Sequence, residues 1–205
     1  MKILLVNNER DINDLGSIEN TKNNVLKVVD ADFVVKHYTE IYDKEDDDHT
    51  VDFIILSGRH NSNWETDEMP LFKGEYNLIR SCRVPLLGIC AGFQLMGLAY
   101  GVRMDYLSTA EKEKYKEYGY LKVNLLAYDK IFAGLSSPII VYQNHYCELK
   151  DIPPGFINLA ASDITRIQCV KHISRNIYGV QFHPEMFNGD YGDGKVILKN
   201  FFSIT

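Results

Sequence analysis

Uninterrupted apolar runs of membrane-spanning length are missing from this chain of 205 residues. The stretch Met1-Lys2-Ile3-Leu4-Leu5-Val6 turns polar at Asn7, too short for a signal peptide or a membrane span, and no later stretch reads as long enough either. Basic charge is short as well: Lys and Arg number 22 against 28 for Asp and Glu, a formal net charge of -6. General binders of nucleic acid or of anionic membranes need basic patches to engage phosphate, so both classes are disfavoured. Cysteine is scarce and unpatterned. Cys82, Cys90, Cys147 and Cys169 form no Cys-x-x-Cys pair and stand at no histidine spacing that suggests zinc, which argues against a metal site. Neither a Walker-type phosphate loop nor a Ser-Gly-Gly-x-Asp run is present, so nothing here looks like a nucleotide-binding synthase. Internal repeats and low-complexity linkers are absent too. These gaps point to a cytoplasmic protein with reduced thiols, no cofactor and no metal.

What is present suits one globular domain over residues 1–205, with a hydrophobic content of 45% and enough chain to bury a sizeable core. Short β-rich runs alternate with helical patterns, which predicts an α/β architecture. Ile3 to Val6 reads as the first strand, Ser17 to Val29 as a helix capped by Ser17, and Phe33 to Tyr38 as a second strand. Asp43 to His49 is a dense acidic run, read as a solvated loop or helix end. Val51 to Leu56 and Leu86 to Ile89 read as strands buried on both faces of a parallel sheet. Phe93, Leu95, Met96, Leu98, Ala99 and Tyr100 outline an apolar helix. Beyond it, Leu121–Leu126, Ile139–Tyr142, Phe156–Leu159, Ile167–Val170 and Ile177–Val180 suggest antiparallel additions, and Gly194 to Phe202 a closing helix.

Chemistry concentrates at two places. Cys90 follows the apolar run Val84-Pro85-Leu86-Leu87-Gly88-Ile89 in a Gly-x-Cys-x-Gly turn that continues as a helix. A thiol on a sharp strand-to-helix turn stands clear of the sheet, and the partial positive charge of the helix N-terminus favours thiolate. Flanking glycines give such a turn its room. A lone cysteine in an apolar run is ordinarily core, but a tight elbow is more than packing requires. The second place is Tyr178-Gly179-Val180-Gln181-Phe182-His183-Pro184-Glu185, where an imidazole and a carboxylate end another apolar stretch. Cys90, His183 and Glu185 together spell a nucleophile, its base and the base's orienter.

These residues resemble the class I, or triad-type, glutamine amidotransferase domains. Gly88-Ile89-Cys90-Ala91-Gly92-Phe93-Gln94 resembles the family's nucleophile motif, and Tyr178 to Glu185 its His-Pro-Glu motif. Phe53-Ile54-Ile55-Leu56-Ser57-Gly58 resembles the strand leading to the family's oxyanion loop, and Glu117-Tyr118-Gly119 its acidic-aromatic-glycine stretch. Asn144-His145 and Ile152-Pro153-Pro154-Gly155-Phe156 look like segments of the glutaminase part of GMP synthetases. The resemblance runs over nearly the whole chain in family order. It implies a mainly parallel, flavodoxin-like central sheet flanked by helices, with antiparallel strands added in the C-terminal half.

It also implies a reaction. Cys90 would attack the side-chain amide of glutamine, His183 would protonate departing ammonia, Glu185 would fix the imidazole, and water would release glutamate from the thioester. The backbone N–H of Ala91, the residue after the nucleophile, suits an oxyanion hole, and the family places its second donor on the loop that here holds Gly58 and Arg59. This loop departs from the family, most members having glycine and proline where this chain has Arg59 and His60. Arg59 is then either a contact for substrate or partner, or a solvated surface cation. Gln94 matches a family position that helps hold the substrate, with a helix-surface amide as its other reading. Asn144, His145 and Tyr146 match a substrate-contacting segment, although Cys147 stands where GMP synthetases usually carry an acid. His145 reads alternatively as a buried, satisfied histidine. Three functions follow: a glutaminase subunit serving a separate ATP-dependent synthase, a stand-alone hydrolase of other γ-glutamyl compounds, or a silent binding module.

Overall fold

The computed structural model describes residues 1–41, 50–60, 63–108, 110 and 115–204; the acidic run from Asp43 to His49 lies outside them. One nine-stranded sheet organises the chain, in the order β2-β1-β3-β4-β11-β10-β9-β6-β7. Strands β1 (Lys2–Asn7), β2 (Asp32–His37), β3 (Phe53–Leu56), β4 (Leu86–Ile89) and β11 (Ile177–Val180) form its parallel half. Side chains alternate across a strand, and here each alternate set finds its own core. Ile3, Leu5, Phe53, Ile55, Leu87 and Ile89 pack with α1 (Gly16–Val25) and α4 (Asp193–Phe201). Leu4, Val6, Ile54, Leu56 and Leu86 pack with α2 (Lys73–Ser81) and α3 (Ala91–Ala99). Burial on both faces is why these strands read as unbroken apolar runs.

Antiparallel pairing builds the other half from β6 (Glu117–Leu125), β7 (Ile139–His145), β9 (Phe156–Ala161) and β10 (Cys169–His172). The far edge strand β7 returns to the middle of the molecule, where Tyr142 O accepts a hydrogen bond from His183 N at 2.8 Å. A separate ribbon of β5 (Met104–Tyr106) and β8 (Cys147–Leu149) lies against α3. Among the described residues no helix is long and apolar enough to cross a membrane.

Three expectations are corrected. The stretch Ile177–Val180 is not an antiparallel addition on both sides: β11 runs parallel to β4 and antiparallel only to β10, making it the seam between the halves. Helix α1 begins at Gly16, so Ser17 lies inside it with a buried, unpaired hydroxyl; Asp14 Oδ1 instead accepts from Gly16 N at 3.4 Å. That helix stops at Val25, and the residues to Val29 follow in tighter turns. The strand expected at Ile167–Val170 is shifted to Cys169–His172, next to an irregularity in its pairing with β9.

Candidate active site

Adjacent parallel strands end at the same edge of a sheet, and in open α/β folds ligands bind outside those carboxyl ends. The neighbouring strands β3, β4 and β11 deliver three remote segments there: Ser57-Gly58-Arg59, Cys90, and Gln181 to Glu185. This is how residues 93 positions apart meet.

Cys90 sits at the junction of β4 and α3 with φ 48, the one described non-glycine residue at positive φ. Its N–H donates to Val180 O at 2.8 Å and its carbonyl accepts from Gln94 N at 2.9 Å, so the strained turn is pinned from the sheet and from the helix. Gly92 is required by close approach: a Cβ there would lie 2.5 Å from Leu56 Cβ and from Leu56 O. The helix thereby starts hard against β3, with Gly92 N donating to Ser57 O at 3.1 Å.

His183 is 1% exposed, and its Nδ1 stands 2.7 Å from Glu185 Oε1. Burial alone would lower the imidazole pKa, but the charges of Glu185 and Cys90 outweigh it and push the value up to about 10. Nε2 has no hydrogen bond of regular geometry, yet the sulfur favours the ring proton both through charge and as a nearby acceptor. Gly58 makes room for this imidazole, since a Cβ at that position would stand 2.6 Å from His183 Cε1. His60 lies alongside with ring centroids 4.7 Å apart. Burial, and then the neighbouring His183 charge, hold His60 down to about 4, so a neutral imidazole borders a cationic one. Ligand-type atoms of His60, His183 and Glu185 fall within 4.8 Å of one another. The His183–Glu185 hydrogen bond joins two of the three, and His60 stands beside that dyad.

Cys90, Ala91, Gln94, Arg59, Asn144, His145 and Tyr146 all line one cleft, together with Trp64 and Cys147, around about 300 Å³ of empty space. The expected residues therefore converge, but several do other work than their positions suggested. Arg59 is no surface cation: its guanidinium makes paired hydrogen bonds to buried Glu68 at 2.8 and 2.7 Å and lies 4.8 Å from the Trp64 ring centroid. Gln94 is no surface amide either. Its Oε1 accepts from Trp64 Nε1 at 2.9 Å, and its Nε2 donates to Cys147 O at 3.0 Å and to Gln181 Oε1 at 3.2 Å. His145 turns its ring inward, with Nδ1 2.9 Å from Cys147 O and Nε2 3.1 Å from Glu117 Oε2. Burial would raise the Glu117 carboxyl, yet hydrogen bonds from His145, Thr165 and Ser162 hold it below its ordinary value. This pair braces β6 against β7 under the cleft wall.

Sequence reasoning missed Gln181, Trp64 and Glu68. For Gln181 a signal existed: it precedes His183 by two residues at the end of an extended run, the spacing that puts side chains on one face. For Trp64 and Glu68 no local periodicity pointed to the cleft.

The family model for glutamine amidotransferase class-I matches residues 12–204, and the chain belongs to that family. Among similar proteins, a glutamine-hydrolyzing GMP synthase subunit of Methanosarcina barkeri is 33% identical over 205 residues, covering 100% of this chain and 96% of the other. Its counterpart in Methanococcus maripaludis strain C5 is 42% identical over 125 residues. That alignment spans 61% of this chain and 62% of the relative, under two thirds of the relative's length. In structure, a Thermoplasma acidophilum protein described as a GMP synthase subunit superposes with a TM-score of 0.78 at 28% identity, covering 99% of this chain and 92% of that one. A Thermotoga maritima glutamine amidotransferase, at 22% identity and TM-score 0.69, covering 90% of this chain and 76% of that one, shares the fold.

Proposed function

We propose that this protein hydrolyses the side-chain amide of glutamine through a cysteinyl thioester and hands the ammonia to a separate, ATP-dependent synthase of the GMP synthetase type. The observation that carries the reading is the convergence of the Cys90 elbow with the buried His183–Glu185 pair at the ends of adjacent strands. Cys90 Sγ attacks the amide carbon, and the collapsing tetrahedral intermediate expels ammonia with a proton from His183. Water, deprotonated by the same imidazole, then releases glutamate. Ala91 N–H and the N–H of the Gly58–Arg59 peptide are the oxyanion donors in this scheme. Ser57 Oγ donates to Gly58 O at 2.9 Å, and in a trans peptide the next N–H points the opposite way, so a hydroxyl sets the direction of that donor. Asn144, Tyr146 and main chain around His145 offer contacts for the amino-acid end of the substrate. Gln94 lines the cleft and keeps one lone pair of Oε1 beyond its bond from Trp64, so its amide braces the wall and still offers the substrate an acceptor. All four cysteines are free and buried, which suits a reducing cytoplasm.

The test is glutamate release from glutamine, measured with the protein alone and again with a synthase subunit, ATP and acceptor. Weak hydrolysis alone and a large increase with the partner are expected. Efficient turnover of γ-glutamyl peptides without any partner would replace this reading by a stand-alone hydrolase.

Gly58→Ala probes the geometry at one further point. The added methyl has to displace the His183 ring, and a misplacement of about 1 Å in a catalytic group costs on the order of 10²-fold in rate. Turnover at saturating glutamine is expected to fall by about that factor with the thermal unfolding midpoint little changed. Wild-type turnover in a folded Gly58→Ala protein would show that the close contact has no catalytic meaning.

A further inference from the structure

Gln181 is fully buried, and its Nε2 lies 3.6 Å from Cys90 Sγ. We propose that Gln181 is a further catalytic residue, whose side-chain amide donates a hydrogen bond to the nucleophilic sulfur and is locked in that donating orientation by Gln94 and Trp64. The proposal rests on Cys90 being the nucleophile.

An amide side chain can turn either its oxygen or its nitrogen to a neighbour, and here that choice is made by groups that have none. An indole N–H only donates, so Gln94 Oε1, 2.9 Å from Trp64 Nε1, must be the acceptor. A peptide carbonyl only accepts, so Gln94 Nε2, 3.0 Å from Cys147 O, must be the donor. Gln94 is thus fixed from both ends. Its nitrogen also meets Gln181 at 3.2 Å, and the atom of Gln181 facing it has to be the oxygen. The nitrogen of Gln181 is then left for the sulfur. Gln181 N donates to Gln168 O at 2.9 Å, so the backbone behind the amide is held as well.

The direction matters for the chemistry. An N–H aimed at a thiolate makes a charge-assisted hydrogen bond, whereas the reversed amide would set carbonyl lone pairs against the same negative charge. Each residue in the row Trp64, Gln94, Gln181 donates to the next and the last donates to Cys90, so the bonds of the chain polarise one another in the direction of the sulfur. Negative charge leaves the sulfur during attack and returns when the thioester breaks down. The contact therefore supports the ready nucleophile before the first step and again after the last. Trp64 and Gln94 act on the sulfur only through Gln181, so they are positioning residues.

Alkylation of the full-length protein by iodoacetamide, followed across pH with no glutamine present, tests this. Gln181→Met keeps side-chain bulk and removes the donor. A hydrogen bond to a charged group is among the stronger ones, so the alkylation rate at pH 7 is expected to fall about tenfold or more, with its pH midpoint moved upward. Gln181→Glu should move it further in the same direction. An unchanged rate and midpoint in Gln181→Met would overturn the proposal. Should these variants not fold, the unaltered protein decides: the side-chain ¹⁵N resonance of Gln181 should titrate with the alkylation midpoint and lose that titration in Cys90→Ala. A Gln181 amide blind to the thiol would equally overturn it. Because no glutamine enters the measurement, its failure is distinct from that of the glutaminase reading, which would show as intact alkylation of Cys90 with no glutamate released.

Discussion

Cys90→Ala is expected to lower glutamine hydrolysis by about 10⁴-fold or more, the scale on which removal of a triad nucleophile acts. The sulfur is the atom that forms and breaks the acyl bond, and no other described thiol sits on the elbow: Cys82 and Cys169 are buried within the hydrophobic core, and Cys147, which lines the same cleft, begins β8. The fold should survive, since the turn is held by backbone bonds to Val180 and Gln94. Position 90 also carries strain, because a non-glycine residue at φ 48 costs on the order of 1–3 kcal/mol. A second variant reads that strain directly. Cys90→Gly should be at least as stable as Cys90→Ala, reversing the usual order in which glycine is the weaker residue. Glutamate release and chemical denaturation on the two variants settle both points; substantial hydrolysis by Cys90→Ala would remove the thioester from the mechanism.

That the elbow is legible in the sequence reflects how much of the site is written locally. Leu86 to Ile89 is apolar on both faces, Gly92 answers a contact of 2.5 Å, and the reacting residue follows the strand at once. His183 and Glu185 are two residues apart, so their hydrogen bond is a local event too. What stayed hidden depends on long-range pairing. Helix α2 buries Gly74, Glu75, Leu78 and Ile79 at helical spacing, so an amphipathic pattern is present in the sequence; what it conceals is that the carboxyl of Glu75 lies on the inner face. The direction of β11 is set by its neighbours, and a four-residue apolar strand looks the same either way. The inward turn of His145 depends on Glu117, 28 positions earlier, and the burial of Arg59 on Glu68 across a loop. Charged residues that meet a partner in the interior look, in sequence, like charged residues facing water.

Glu185→Gln carries the other large effect, because it changes the charge on which His183 depends and almost nothing else. In the native site burial works against the imidazolium, while Glu185, and Cys90 after it, hold the proton on up to about 10. An amide at position 185 removes the stronger of these two supports and lets burial act. The ring then loses both its charge and the acceptor that fixes its tautomer. Replacement of the orienting acid by its amide costs on the order of 10⁴-fold in turnover in serine-protease triads, and a drop approaching that size is expected here. The same change has a stability signature with a definite sign. Between about pH 6.5, where a histidine in the unfolded chain titrates, and about 10, where this one does, the folded protein holds a proton that the unfolded chain has released. Stability contributed by His183 is therefore full below about pH 6.5 and falls as pH rises through that window. In Glu185→Gln this slope should largely vanish. Urea unfolding at about pH 6 and about pH 9, on either side of the unfolded-chain value, measures it. An identical difference between the two pH values in both proteins would mean that His183 does not carry the proton on which the mechanism depends.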